Sequence, residues 1–202
     1  MGQVNARRFP TVARYLDLHC GRLDRHPGCQ VKTGLLRDVI EGHPLERVER
    51  DLPAEVVELL RSPPPVNVWM PEMLIEAVLQ ACADEHFASQ AEAEEWAFRH
   101  DLERFRGPLY RLLMVLARPE SMLRAASKRW EAFHRGSSLE VEVQPNRVVG
   151  TLRFPPWLYM PEARINLAGP FRAALVAAGA EDARVLLIEA GELVQRYEAT
   201  WS

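Results

Sequence analysis

The chain has 202 residues, 48% hydrophobic and 26% charged, with a formal net charge of −3. That length can bury a large core, and the balance is that of an ordinary soluble globular chain. The near-neutral charge speaks against non-specific nucleic-acid binding or an anionic membrane, and no apolar run reaches the length of a membrane span.

The N-terminus MGQVNARRF lacks the apolar core of a signal peptide, and three cysteines at irregular spacing make no disulfide framework. A cytoplasmic protein is expected. Thr11 to Cys20 spaces Val12, Tyr15 and Leu16 for an amphipathic helix, stopped at Gly21. Residues 21–32 are polar, carry Gly and Pro, and read as a loop. Leu35, Leu36, Val39 and Ile40 give a short helix closed by Gly42. Pro44 to Asp51 and Pro53 to Leu60 each start with proline and keep helical apolar spacing, which predicts two small helices.

Pro63-Pro64-Pro65 is the clearest break, since three prolines favour an extended chain. The extended segment 66–71 ends with Pro71 in the first turn of a long helix, whose stripe is Met73, Leu74, Ala77, Val78, Ala81 and Cys82. Ser89 with Glu92 fits a capping box for the next helix, through about Phe105. Leu109, Leu112, Leu113 and Leu116 make another helix after Gly107-Pro108.

Pro119 to Phe154 reads as the organising unit. Leu123, Ala126, Trp130 and Phe133 share one helix face, and Gly136 suits a left-handed C-cap. The period then falls to two: Leu139, Val141 and Val143 alternate with Ser138, Glu140 and Glu142, and Pro145-Asn146 turns into a return strand through Phe154. A second helix over residues 166–178, capped by Gly179, precedes a second hairpin. In its last strand Leu193, Tyr197 and Trp201 share one face. The fold class is α+β, with a helical N-terminal part and an antiparallel sheet of two hairpins with covering helices. Residues 1–30 are an N-terminal helix and linker. Residues 31–202 form a single domain, helical over 31–117 and helix–hairpin–helix–hairpin over 118–202.

PPVNVWMP before a long helix, KRWEAFHRGSSLEVEV, GPFRAALVAAGAEDARVLLIE and the closing YEATW resemble an uncharacterised family of paralogues from myxobacteria. That family is distantly similar to heme-NO-binding and vinyl-reductase-type sensory domains. The resemblance covers about Val31 to Trp201 and implies a sensory or regulatory fold with a cavity between helices and sheet. It implies no heme or metal, because Tyr110-Arg111-Leu112-Leu113-Met114 lacks the serine and arginine of the heme-gripping Tyr-x-Ser-x-Arg set, and no cysteine follows Cys82.

His19, Cys20, His26 and Cys29 are ligand types that zinc accepts, but their spacing fits no standard site, so no metal is assigned. Asp84-Glu85-His86 could serve acid–base chemistry only if a pocket converged on it. No nucleophile elbow, P-loop, dinucleotide fingerprint or metalloprotease helix occurs, so no enzyme activity and no cofactor are assigned. An apolar ligand pocket would be lined by Trp69, Trp96, His100, Tyr110 and Trp130, although a tryptophan more simply packs a core. Trp157, Leu158, Tyr159 and Met160, extended between prolines, would leave one pair of side chains outside and call for a protein partner or a second copy. The expected function is a non-catalytic sensory or adaptor domain in bacterial signalling. It would take a small apolar ligand in the helix–sheet cavity; the alternatives are a protein–protein interaction scaffold with a filled core and, behind it, an enzyme.

Overall fold

A computed structural model describes residues 4–65, 67–107, 123, 125–163 and 165–202 of the chain, with backbone only at Leu35 and Asp38. Its helical part runs α1 (Pro10–Leu18), β1 (Gln30–Lys32), α2 (Gly34–Gly42), α3 (Ala54–Arg61), β2 (Trp69–Pro71), α4 (Glu72–His86) and α5 (Gln90–Arg106). The second part runs α6 (Ala126–Phe133), β3 (His134–Arg135), β4 (Ser138–Gln144), β5 (Arg147–Arg153), α7 (Ala168–Ala177), β6 (Arg184–Ala190) and β7 (Val194–Thr200). The fold is α+β, as expected. The helix of Leu109 to Leu116, the start at Pro119 and the side chain of Tyr110 lie outside the described residues.

The helical part is built around α4. Proline at its N-cap fixes the entry, and the first N–H, that of Glu72, is taken by the Cys29 carbonyl at 3.0 Å. From Ala77 to Ala83 every residue is buried, far more than the expected stripe, because α1, α2 and α3 all pack on this helix. Asp84 accepts from the N–H groups of Thr11 and Val12 and so caps α1 from another helix. At the other end of α1, Cys20 takes the left-handed conformation (φ 54°), and Gly21 N–H returns to Leu16 O at 2.7 Å.

The stretch Pro44 to Asp51 is not helical, against the sequence expectation. Its carbonyls are spent elsewhere: the Arg8 guanidinium donates to Glu46 O at 2.9 Å and Arg47 O at 3.4 Å, and Arg47 is left-handed at φ 54°. Residues 21–32 are also not wholly loop. Gln30–Lys32 is the centre of an antiparallel three-stranded sheet of order β2-β1-β3.

The larger sheet, order β4-β5-β7-β6, is wholly antiparallel. Its inner face carries Leu139, Val148, Leu152, Tyr197 and Val185, covered by α6 and α7. Its outer face is a ladder of ion pairs: Arg147 with Glu198, Arg153 with Glu140 at 3.7 Å, and Arg196 with Glu189 at 3.6 Å. The expected alternation in β4 and β5 is present. Leu193, however, is exposed rather than on the face of Tyr197 and Trp201, and Phe133 leaves the face of Trp130, because α6 ends there and the chain extends into β3. Gly136 is left-handed (φ 80°), but in the turn after β3 rather than as a helix cap; a Cβ there would meet Cys29 Sγ at 2.6 Å.

Two local signals hold as read. Ser89 caps α5 by accepting from Glu92 N–H at 3.2 Å, while the Glu92 carboxylate accepts from Ala88 N–H at 2.8 Å. Gly179 ends α7 in a left-handed turn, with Ala180 N–H returning to Leu175 O at 3.0 Å. The α5–α7 contact is close because Gly169 has no side chain: a Cβ would lie 2.5 Å from Glu94 O. Arg172 from α7 locks it by an ion pair with Glu95 at 3.0 Å and by lying 3.8 Å over the Phe98 ring.

Candidate functional site

The most concentrated chemistry sits where the first turn of α4 meets β3 and the loop after β5. Glu72 is 1% exposed, yet it is a carboxylate in a helix first turn, where the dipole favours negative charge. Its Oε1 accepts from His134 Nδ1 at 2.7 Å and from the Tyr159 hydroxyl. Oε2 is buried with no hydrogen-bond partner among the described residues. The Trp130 indole stacks on the His134 ring, centroids 3.6 Å apart and nearly parallel, and donates from Nε1 to Ser137 Oγ at 3.1 Å. Register in the small sheet explains the placement: Val31 pairs with both Met70 and His134, so β1 holds β3 against the start of α4.

One turn along α4, burial and then the Glu72 carboxylate push Glu76 up to about 8, against a hydrogen bond with Gln80. Burial, with these two glutamates, also raises the hydroxyls of Tyr15 and Tyr159 well above the usual tyrosine range. The cluster is thus a set of proton-holding groups, buried at Glu72, Tyr15 and Tyr159 and half-buried at Glu76 and His134. It can bind a proton and tie α4, β3 and the loop together.

The expected ligand-pocket residues do not converge. Trp130 belongs to the Glu72 cluster. Trp69 lies on the small sheet, with Arg135 3.9 Å and Lys32 5.2 Å from its ring. Trp96 and His100 stack on each other, centroids 5.2 Å apart, beside His43, where the ends of α2 and α4 meet α5. Burial, then His86 and His100, lower the His43 pKa. The cavity between sheet and helices is elsewhere. It measures about 40 Å³ and is lined by apolar groups including Ala126, Leu139, Val148, Phe171 and Tyr197.

The loop of Trp157, Leu158, Tyr159 and Met160 is also placed otherwise than expected. Leu158, Tyr159 and Met160 are buried within the chain itself, and only Trp157 is half-buried. Trp157 is left-handed (φ 62°), which breaks the two-sided extended geometry. The N-terminal segment draws the loop inward. Tyr15 donates to Leu158 O at 3.0 Å, His19 Nε2 to Trp157 O at 3.1 Å, and His26 Nε2 to Pro156 O at 3.1 Å. Burial, more than any neighbour, lowers the His19 pKa.

These contacts engage Nε2 of His19 and of His26, while His19 Nδ1 is buried with no partner among the described residues, Cys29 faces Gly136 O and Cys20 is exposed. No group of three His, Cys, Asp or Glu among the described residues is arranged to hold a metal ion. Asp84, Glu85 and His86 diverge: Asp84 caps α1, Glu85 pairs with Arg8 at 2.7 Å, and His86 donates to Pro44 O at 3.0 Å. No described helix is long and apolar enough to cross a membrane.

Sequence reasoning missed Glu72 and Glu76 because an i, i+4 glutamate pair normally marks a wet helix face. The available signal was their position inside a stripe that is apolar on both sides: Met73-Leu74-Ile75 and Ala77-Val78-Leu79. Comparison of the chain with protein-family models, curated proteins and solved structures finds no match in any of the three.

Proposed function

We propose that this chain is a non-catalytic interaction domain, an adaptor of the regulatory kind suggested by its resemblance to the myxobacterial paralogues. One observation carries the reading: the described cavity between helices and sheet is small and apolar. Small-molecule sites run to roughly 300–1,000 Å³ with convergent polar groups. The cavity here is about 40 Å³ and apolar, enough for a solvent molecule or two. Of the polar groups that do converge, Glu72 Oε1, His134 Nδ1 and the Tyr159 hydroxyl are used in bonds to one another.

Apolar side chains are instead left outside. Leu186, Ile188 and Leu193, all from the β6–β7 hairpin, are 61%, 47% and 54% exposed. A small cavity beside exposed apolar side chains supports a scaffold for protein contacts over a ligand sensor.

Native mass spectrometry of the freshly purified chain tests the reading. The expected spectrum shows masses that are whole multiples of the 23.0 kDa chain, or of the chain with a stoichiometric protein partner. A small molecule retained one per chain would overturn the proposal in favour of ligand sensing.

A further inference from the structure

The larger sheet ends in two unlike edges. On one side β4 carries Glu140 and Glu142 on its outer face, while α6 packs on its inner face. On the other side β6 pairs only with β7 among the described residues, so its outer row of backbone N–H and C=O groups has no strand beside it. Natural sheets protect such edges with inward charges, prolines or very short strands. This one is seven residues of sequence RVLLIEA, with no proline and only Arg184 and Glu189 charged. A bulge between Leu187 and Glu189 leaves Ile188 without a ladder partner on β7. The outer faces of β4, β5 and β7 are covered by ion pairs, so exposed apolar surface on this sheet gathers at the β6 edge and the adjoining turn.

We infer that β6 is a self-association edge, at which two copies of this chain pair antiparallel about a two-fold axis. The two charges choose this occupant and this direction. Arg184 and Glu189 have opposite signs and lie toward opposite ends of the strand, so the edge is complementary to itself only when reversed. Antiparallel pairing about the strand centre brings each Arg184 to the end of the interface that holds the partner's Glu189, and sets the apolar Leu186–Ile188 segments of the two strands across from one another. Parallel pairing would oppose like charges. The association closes at two chains, because the two-fold axis pairs the same edge of each chain and so uses it up. A single strand pair buries less than the roughly 800 Å² per partner of a stable interface, so the dimer is reversible.

This inference names the partner for the interaction reading above and rests on it only in that respect. A retained ligand would remove that reading and leave the dimer, whereas a monomer would remove the dimer alone.

Sedimentation velocity over a range of about 1–100 µM, where weak interfaces dissociate, is the test. The wild type is expected to move from about 23 to about 46 kDa, twice the 23.0 kDa chain, as concentration rises. Replacing Leu186 and Ile188 together by Lys should leave the monomer throughout, with unchanged far-UV circular dichroism. Should that pair disturb folding, the charges give a second route. Arg184→Glu alone should weaken the dimer about tenfold by facing two like-charge pairs, and Arg184→Glu with Glu189→Arg should restore it. A wild type that stays monomeric overturns the inference. So does a dimer that survives the lysines, or one that the double charge reversal fails to restore.

Discussion

Glu76 offers the sharpest test of how the centre of this protein is built. It lies on α4 with Glu72 one turn before it and Gln80 one turn after, and its charge reaches the hydroxyls of Tyr15, Tyr159 and Tyr197. Burial and Glu72 raise its pKa from the ordinary 4.5 to about 8. Between those values the folded chain holds a proton that the unfolded chain has lost. The contribution is therefore complete below about pH 4.5 and disappears as pH rises through about 8. The gap corresponds to about 5 kcal/mol at most, and the partial solvent access of this side chain reduces it to about 2 kcal/mol.

Glu76→Gln keeps the shape and the capacity to bond Gln80 while removing the titration. Thermal unfolding of both proteins should be followed by circular dichroism between pH 5.5 and 8.5. The wild-type midpoint should fall relative to the variant by about 4–8 °C, at roughly 2–4 °C per kcal/mol for a chain of this size. His19, with its lowered pKa, takes stability away as pH falls below 6.5, but it does so equally in both proteins and cancels in the difference. Midpoints that run parallel across the whole range would show that Glu76 is not held neutral in the fold.

Two further changes probe other parts of the same architecture. Tyr159→Phe removes one of the two donors to Glu72 Oε1 and leaves a buried carboxylate with His134 alone; a loss of about 1–3 kcal/mol in denaturant unfolding is expected, and an unchanged midpoint would refute the polar tie. Gly169→Ala should cost about 1–3 kcal/mol although alanine is the better helix former, since its Cβ would lie 2.5 Å from Glu94 O; a stabilised variant would disprove the close approach of α5 and α7.

The sequence by itself determined what depends on near neighbours. The period-two run at Leu139–Val143, the Ser89–Glu92 capping box and the left-handed turn at Gly179 are decided within a few residues, and each is where its pattern puts it. The α+β class follows from summing such signals. Tertiary structure decided whatever a distant partner controls. Gln30–Lys32 becomes a strand only because Trp69–Pro71 and His134–Arg135 arrive on either side of it. Pro44 to Asp51 loses its helix to the Arg8 guanidinium. The candidate site was legible only in Trp130, whose spacing marks a core face. Glu72 and Tyr159 are 87 residues apart and meet through a loop that Tyr15, His19 and His26 draw inward. Local patterns fix conformation because they act through short covalent separations. Which buried polar groups meet depends on long-range packing, which no local period encodes.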